Sequence, residues 1–472
     1  MKFFFAAYLL LGALIAGHYG LAWDETESRH LGQLNLDYLA GDPALLSEPD
    51  RLIGPALEIA LAAVERALGV TDPRYAFLLR HFLTFLVFFA AAVVFYRLCR
   101  KRFGPGLAAA GAVFFIAHPR IFAHSFFNSR DIGFLAAVVF AVASLEAFLE
   151  KPGPRTALAH AAFTGFAIAT RIMGVWIPLA TLIVARRNVR RRELAVYGIA
   201  AAFFTVLFWP YLWADPAGRF LEALRHSSRV PWPWTVLYGS AFHQADGLPW
   251  HYMPVWIAIT TPPVILALFL GGVGRLALRK KRPPADLLCA AWFFIPVAAV
   301  IALRPTLLDE WRYLFFVYPA LVWLALVALE GLRRTWPRWL ALAALAPSLA
   351  FMARAHPFEN VYFNRLAGKD LAEIRMRYEM DYWGLSYRRI LERIAARDAR
   401  PLIRVCAETE PGVFNAALLP RSDRGRFEFV EDTTNADYFI TNYRWHPGDH
   451  PLPVFEAVVV DGARIAAAYK LR

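Results

Sequence analysis

The sequence predicts a polytopic α-helical membrane protein of about eleven spans, followed by a small C-terminal α/β domain. Three observations carry that expectation. Apolar residues make up 58% of the chain and charged residues only 19%, against about 45–50% and about 25% in a soluble domain. The apolar excess comes in blocks of roughly 18–22 residues, the length of a helix that crosses a bilayer. Lys and Arg gather in short segments between those blocks, which is the pattern that sets membrane orientation. The net charge of +13 is thereby explained without nucleic acid, and no nucleic-acid partner is expected. An anionic lipid or a phosphate-bearing substrate is compatible with it.

The spans are placed at 3–22, 76–97, 105–122, 132–149, 156–170, 172–185, 194–213, 255–274, 286–303, 313–331 and 339–354. The first run reads as an uncleaved helix in preference to a signal peptide cut after Gly20-Leu21-Ala22, because it is long for a signal and many spans follow. The fifth and sixth share one apolar stretch, broken around Arg171 and Gly174. Basic segments follow the second span (Arg97, Arg100, Lys101, Arg102), the sixth (Arg186, Arg187, Arg190, Arg191, Arg192), the eighth (Arg279, Lys280, Lys281, Arg282) and the tenth (Arg333, Arg334, Arg338). All fall on one face if the N-terminus is cytoplasmic, and an odd number of spans then exports the tail. The expected division is a membrane domain over 1–354 and an extracytoplasmic domain over 355–472, in the cell's inner (plasma) membrane. The outer face would carry loops 23–75, 118–131, 214–254 and 304–312.

Loop 214–254 is rich in Trp and Pro (VPWPWTVLYGS, GLPWHYMPVW). Two readings stand: an aromatic anchor at the headgroups, or a wall for a lipid-linked or sugar ligand. In the tail, RPLIRVCA, ADYFITNY and LPVFEAVVV read as strands. Asp461-Gly462 followed by ARIAAAYKL reads as a hairpin, and SYRRILERIAARD has helical spacing. Cys99, Cys289 and Cys406 have no metal or disulfide spacing.

The unusual residues collect on the outer face. WDETESRH, where the first span ends, brings Asp24 and Glu25. HPRIFAHSFFNSRD brings His118, Arg120, His124, Asn128, Arg130 and Asp131, more ionisable groups than a simple connector needs. Arg171 lies in an apolar setting, and Arg304, Asp309, Glu310 and Arg312 come at the outer ends of the ninth and tenth spans. Ionisable groups at membrane depth are costly and are functional candidates. Each also has a plain structural reading. The second-loop His residues can be interfacial hydrogen-bonding groups, Arg171 can snorkel, Arg130 and Asp131 can pair at a helix start, and Arg304 and Arg312 can pair with Asp309 or Glu310. It is the convergence on one face that favours function. A carboxylate there can act as general base toward a hydroxyl, and arginines can hold a phosphate. Sugar transfer from a polyprenyl phosphate needs both. A transporter or flippase of lipid-linked sugar is the alternative, but it would place ionisable residues near the midplane of repeated helices, and no internal repeat is visible.

An acidic pair at the end of the first span, a second outer loop ending in Asp, many spans and an exported tail resemble the C-type (GT-C) glycosyltransferase superfold. The similarity is to the dolichyl-phosphate-mannose protein mannosyltransferase-like family (family 39-like), which includes the aminoarabinose transferase of lipid A. HPRIFAHSFFNSRDIGF is similar to that family's second-loop stretch, and HPFENVYFNRLAG and DYWGLSYRRIL are similar to segments of its bacterial members. The resemblance implies a hexosyl- or pentosyltransferase working by inverting displacement from a polyprenyl-phosphate-linked sugar donor to a lipid, glycan or protein acceptor. Asp24 then matches the catalytic aspartate as general base, with Glu25 supporting it or contacting the acceptor. Asp131 matches the second-loop acid and would orient the acceptor or a divalent metal ion. Arg171, Arg304 and Arg312 are candidates for the donor phosphate by depth and side, while His118, Arg120, His124, Asn128 and Arg130 would line the acceptor side or the second loop. The resemblance leaves metal dependence open, since some relatives bind an ion and others do not.

Overall fold

A computed structural model describes the chain except residues 187, 229–232 and 333–335. Arg187, Arg333 and Arg334 of the basic segments, and Val230, Pro231 and Trp232 of the Trp-rich loop, lie outside the described residues. Each apolar block is helical. In chain order the helices of the first 355 residues are α1 (Lys2–Ile15), α2 (Glu25–Leu39), α3 (Ala56–Ala67), α4 (Pro73–Ile116), α5 (Pro119–Phe127), α6 (Ser129–Glu150), α7 (Pro154–Thr170), α8 (Trp176–Ala185), α9 (Arg191–Leu207), α10 (Pro216–Ser228), α11 (Tyr252–Thr260), α12 (Pro263–Leu278), α13 (Pro284–Leu303), α14 (Tyr318–Glu330), α15 (Trp336–Ala343) and α16 (Ala346–Ala355). Among the described residues four segments are long and apolar enough to cross a membrane: Pro73–Ile116, Ser129–Glu150, Pro284–Leu303 and Arg312–Glu330. Lys2–His18, Ile172–Ala185 and Pro263–Leu278 are shorter apolar helices.

The breaks between helices follow backbone chemistry. The expected spans 76–97 and 105–122 fall on two helical arms of α4 that meet at a kink at Gly104 (φ 78°) beside Pro105, with residues 119–122 already in α5. Glycine takes that left-handed conformation without penalty, and proline removes a helix hydrogen bond. The expected span 255–274 is instead two helices, α11 and α12, parted at Thr261-Pro262, because the residue before proline leaves the α region. The break near Arg171 is present: α7 ends at Thr170, Arg171 is extended, and a tight turn over Ile172–Val175 leads into α8.

The long segments expected on the outer face are structured. Residues 23–75 hold α2 and α3, clasped by the Arg29–Glu65 ion pair and by Gln33 Nε2 donating to Glu65 (3.1 Å). The stretch 118–131 is mostly the short helix α5, not an open loop. Residues 214–254 hold α10 and the hairpin β1 (Thr235–Tyr238) and β2 (Ala241–Gln244).

Beyond α16 the chain re-enters the helical body. Asn364 Nδ2 donates to the Ala258 and Thr261 carbonyls, both at 2.7 Å. Then come α17 (Leu371–Arg375), α18 (Tyr387–Arg397) and a five-stranded sheet of β3 (Ile403–Ala407), β4 (Phe427–Phe429), β5 (Tyr438–Thr441), β6 (Val454–Val460) and β7 (Ala463–Lys470), in the order β4-β3-β5-β7-β6. β3 runs parallel to β4 and β5, while β7 is antiparallel to β5 and β6. Asp461 and Gly462 make the β6–β7 turn with positive φ, as an Asp-Gly pair favours. β4 has no counterpart among the sequence-derived strands; three residues are too few to show an alternation. The sheet and helices share one apolar core, which includes Ile403 and Ile440 as well as Phe85 and Phe126. Arg388 Nη1 further ties α18 to the end of α1, donating to the Gly17 and Tyr19 carbonyls at 2.6 and 2.7 Å.

Charge collects at both ends of α13 and α14. At one end Arg102 bridges Asp286 (2.7 Å) and Glu330 (2.6 Å), and the Trp323 indole donates to Asp286 (3.1 Å). The other end leads into residues 304–312. Twenty helical residues separate the two along α13, about 30 Å, which is the thickness of a bilayer core.

Candidate active site

Asp24 stands at the N-cap of α2, yet its side chain makes no cap hydrogen bond. Its carboxylate is left for Arg312 Nη1, 3.4 Å away. Glu25, one residue on, turns inward. Its Oε1 accepts from the Ala22 N–H (2.8 Å), and its Oε2 meets His81 Nε2 (2.8 Å), whose Nδ1 faces the Ala16 carbonyl at 3.2 Å. Glu25 is thus buried and fully engaged, which fits support of Asp24 and leaves its carboxylate no contact with an acceptor. It fixes the turn that carries Asp24.

Asp131 is placed by a local cap. The Asn128 side chain accepts from the Asp131 N–H (3.0 Å) and donates to Asp131 Oδ2 (2.8 Å). An N-cap residue that serves both partners fixes the start of α6 and the direction of the acid. Asp131 then pairs with Arg171 and with Arg312 (3.3 Å).

The segment 309–312 completes the cluster. Asp309 (φ 57°) and Glu310 (φ 62°) are both left-handed, a conformation that costs non-glycine residues energy and persists where the surroundings enforce it. Here the enforcement is electrostatic. Asp309 accepts from Arg312 Nη2 (3.0 Å), Arg444 Nη2 (2.8 Å) and the Trp383 indole (3.1 Å). Burial pushes its carboxyl up, but Arg444 and Arg312 outweigh burial and hold it below its ordinary value. Glu310 accepts from Arg120 Nη1 (2.8 Å) and the Tyr382 hydroxyl (2.7 Å), with His124 Nε2 at 3.5 Å. Arg312 lies against the Tyr313 and Trp383 rings, its guanidinium carbon 4.5 and 4.9 Å from their centroids.

Asp24, Asp131, Arg171 and Arg312, far apart in sequence, therefore meet in one cluster, with Arg120, His124 and Asn128 packed beside it. Arg130 adjoins Glu27 of α2, whose carboxyl is raised chiefly by burial and lowered in part by Arg130. Two candidates fall outside. His118 caps α5 through Nδ1 and packs, fully buried, on Trp311 and Tyr318 in the core. Arg304 is an exposed, left-handed C-cap of α13 beside Trp250 and Pro305, and none of its contacts reaches the cluster. The structure adds Trp23, Tyr382, Trp383 and Arg444. Tyr382 and Trp383 lie in the DYWGLSYRRIL stretch singled out in the sequence, but nothing local marks Arg444, which the segment after β5 delivers to Asp309 across 135 positions.

Among the described residues no group of three His, Cys, Asp or Glu side chains is arranged to hold a metal ion. Asp24, Asp131 and Asp309 do converge, but on the guanidinium of Arg312, which takes the place between them. These residues do not fit a divalent ion.

Comparison with known proteins agrees with this architecture. The undecaprenyl-phosphate-bound crystal structure of ArnT from Cupriavidus metallidurans superposes with a TM-score of 0.53 at 16% identity, over 99% of this chain and 97% of that one. Its apo form gives 0.55 at 15% identity, with the same coverage. The archaeal oligosaccharyltransferase AglB from Archaeoglobus fulgidus, in complex with an inhibitory peptide and a dolichol-phosphate, gives 0.50 at 13% identity, over 93% of this chain and 69% of that one. At these identities the likeness is one of fold, the C-type membrane glycosyltransferase fold. No curated protein sequence matches the chain. The profile of glycosyltransferase family 87 matches residues 60–296, half of the chain, and the chain belongs to that family.

Proposed function

We propose that the chain transfers a sugar from a polyprenyl-phosphate carrier to an acceptor hydroxyl by a single inverting displacement, with Asp24 as general base. One observation carries the choice of base. The Asp24 side chain is 31% exposed, whereas those of Asp131, Asp309 and Glu310 are 1%, 3% and 0% exposed. Only Asp24 among them can meet an incoming hydroxyl.

In the displacement, the acceptor oxygen bonds to the anomeric carbon while the carbon–oxygen bond to phosphate breaks. The hydroxyl proton passes to Asp24, and the phosphate leaves with the bonding pair. Arg312 and Arg171 meet the charge that develops on it. Asp131 is a positioning residue, holding both arginines by ion pairs. The cluster is balanced before substrate arrives: three carboxylates (Asp24, Asp131, Asp309) face three guanidiniums (Arg171, Arg312, Arg444). A donor phosphate that draws Arg312 toward itself weakens the Asp24–Arg312 pair, and the base is then free to accept a proton. ArnT and AglB, which share the fold, were captured with undecaprenyl phosphate and dolichol-phosphate, and this supports a carrier of that class here.

The sidedness follows from charge. The Arg102–Arg279–Asp286–Glu330 end carries the basic segments and faces the cytoplasm of the inner membrane. The Asp24 cluster and residues 355–472 face outward, where no nucleotide donor is present. The test is sugar transfer or release from a panel of labelled polyprenyl-phosphate sugars by the purified protein and its Asp24→Asn variant. Loss of a general base costs about 10²–10⁴-fold. A variant that turns over as fast as wild type would remove Asp24 from the mechanism.

A further inference from the structure

The stretch NRLAGKDLAEIRMR, between α16 and Tyr378, folds into a basic basin that the displacement does not use. Backbone contacts build its rim. Asn364 Oδ1 accepts from the Leu366 N–H (2.8 Å), Asp370 Oδ1 caps α17 by accepting from the Glu373 N–H (2.8 Å), and Arg377 Nη1 donates to the Ala367 carbonyl (3.0 Å). Gly368 lies so near α17 that a Cβ there would stand 2.8 Å from Ile374 Cγ1. The basin encloses about 380 Å³, the size of a small-ligand site. Arg365, Lys369 and Arg377 line it together with the carboxylate of Glu373. That carboxylate is spent on the Lys369 N–H (3.1 Å) and on Arg377 (3.7 Å). Among the described residues no carboxylate pairs with Arg365 or Lys369, and both are exposed. Three cations against one carboxylate leave two positive charges facing an open concavity.

The height of the basin in the membrane is fixed. Asn364, at its head, holds the Ala258 and Thr261 carbonyls where α11 gives way to α12. From there α12 runs 16 residues, about 24 Å, to Arg279, which joins the Asp286 and Glu330 carboxylates at the far end. A bilayer core is about 30 Å thick, so the basin lies at the opposite headgroup layer. Leu366 in its lining and Met376 beside Arg377 are 65% and 46% exposed, apolar groups suited to the boundary between headgroups and acyl chains. We propose that the basin binds the headgroup of an anionic glycerophospholipid, with Arg365 and Lys369 on the phosphate and the acyl chains descending past Leu366. Guanidinium and ammonium groups hold phosphate by charge and hydrogen bonding, and two unpaired positive charges favour an anionic lipid over a zwitterionic one. A soluble anion would meet the same charges, but it has no use for an exposed leucine at the height of the bilayer surface. The bound lipid ties residues 364–377 to the membrane, and with them the β1–β2 hairpin, which bridges to Tyr378 through Tyr238. The proposal is independent of the reaction and needs only that the helices span a bilayer.

The experiment places the full chain in phosphatidylcholine nanodiscs that contain a trace of phosphatidylglycerol, or of phosphatidylcholine, carrying a photoactivatable diazirine in its acyl chain. Irradiation marks the side chains beside the lipid, and peptide mass spectrometry counts the adducts on residues 364–377. Each Lys or Arg near the surface is worth roughly a factor of five toward an anionic lipid, so the phosphatidylglycerol probe is expected to label this segment about tenfold or more above the phosphatidylcholine probe. Arg365→Gln/Lys369→Gln should bring the two probes within about twofold of each other. The charge-preserving Arg365→Lys/Lys369→Arg should keep the preference. So should Lys280→Gln/Lys281→Gln, which removes two cations at the opposite end of the helices. Both basin side chains are exposed, so their variants keep the fold, which a melting curve in phosphatidylcholine alone checks. Equal labelling of wild type by the two probes overturns the proposal, as does an undiminished preference in Arg365→Gln/Lys369→Gln. If glycerol 3-phosphate abolishes the labelling, the basin takes a soluble phosphate. If undecaprenyl phosphate displaces phosphatidylglycerol mole for mole, the basin belongs to the donor. Either result overturns the phospholipid site. A protein that transfers no sugar leaves this labelling untouched, so the site and the proposed reaction fail separately.

Discussion

Asp24 caps α2 by backbone alone, and Glu25 spends its carboxylate on Ala22 and His81. The two neighbours in one acidic pair thus have opposite fates, and only three-dimensional packing separates them. Asp24 and Asp131 were legible in the sequence because local signals fix them: the end of an apolar run for one, an Asn-x-x-Asp cap for the other. Glu25 and His118 look alike to such signals, yet they are buried by partners more than 50 residues away or by a helix cap. Glu379 shows the same limit. It lies in the buried wall near Arg444 and Asp309, and burial, the largest influence, pushes its carboxyl up to about 8. The folded state then holds the proton more tightly than the unfolded chain does, whose glutamate titrates near 4.5. Stability from this group is intact below about pH 4.5 and is lost as the pH rises through about 8. Glu379→Gln removes that titration. Thermal unfolding of wild type should weaken between pH 6 and pH 9 more than that of the variant, and parallel curves would show that Glu379 ionises normally.

At the scale of elements, the helices were readable because their apolar blocks are long, and the breaks at Gly104 and Arg171 fall where the sequence expects them, whereas the break at Thr261-Pro262 falls inside an expected span, where the residue before proline decides. What the sequence conceals is which helix faces touch. Gly272 of α12 illustrates it. A Cβ placed there would lie 1.8 Å from the Leu324 carbonyl oxygen of α14, whereas at the adjacent Gly271 the nearest atom is the Ala328 Cβ at 3.6 Å. Small residues let membrane helices approach closely, and here one of the pair, α14, follows directly on the 3-10 turn Arg312–Val317 that carries Arg312. Gly272→Ala must part the two helices, a strain of about 1–3 kcal/mol, so its melting temperature should fall while Gly271→Ala stays near wild type. Equal melting temperatures would mean that α12 and α14 do not pack at Gly272.

For the whole molecule, the tail and the membrane helices meet in the cluster, and this could not be read from residue order. Arg444 arrives at the end of β5 and binds Asp309, at the head of a membrane helix, where both groups are almost fully buried. Removing one partner of a buried ion pair leaves an uncompensated charge, typically at a cost of about 3–5 kcal/mol. In Arg444→Met, Asp309 keeps Arg312 as its one cationic partner, beside the Trp383 indole, and competes for it against Asp24 and the donor phosphate. The variant should therefore lose both stability and at least about tenfold in kcat/KM for the donor. Neutralising the acid as well relieves that competition: the double variant Arg444→Met/Asp309→Asn should be more active than Arg444→Met alone. A double-mutant cycle reads this as a coupling between two contacting residues. If the two losses simply add, Arg444 acts on the reaction by a route other than Asp309, and the tail is then a cover over the site instead of part of its charge balance. A positive coupling makes residues 355–472 a working part of the transferase, because the arginine that frees Arg312 for the phosphate is then supplied from outside the membrane helices.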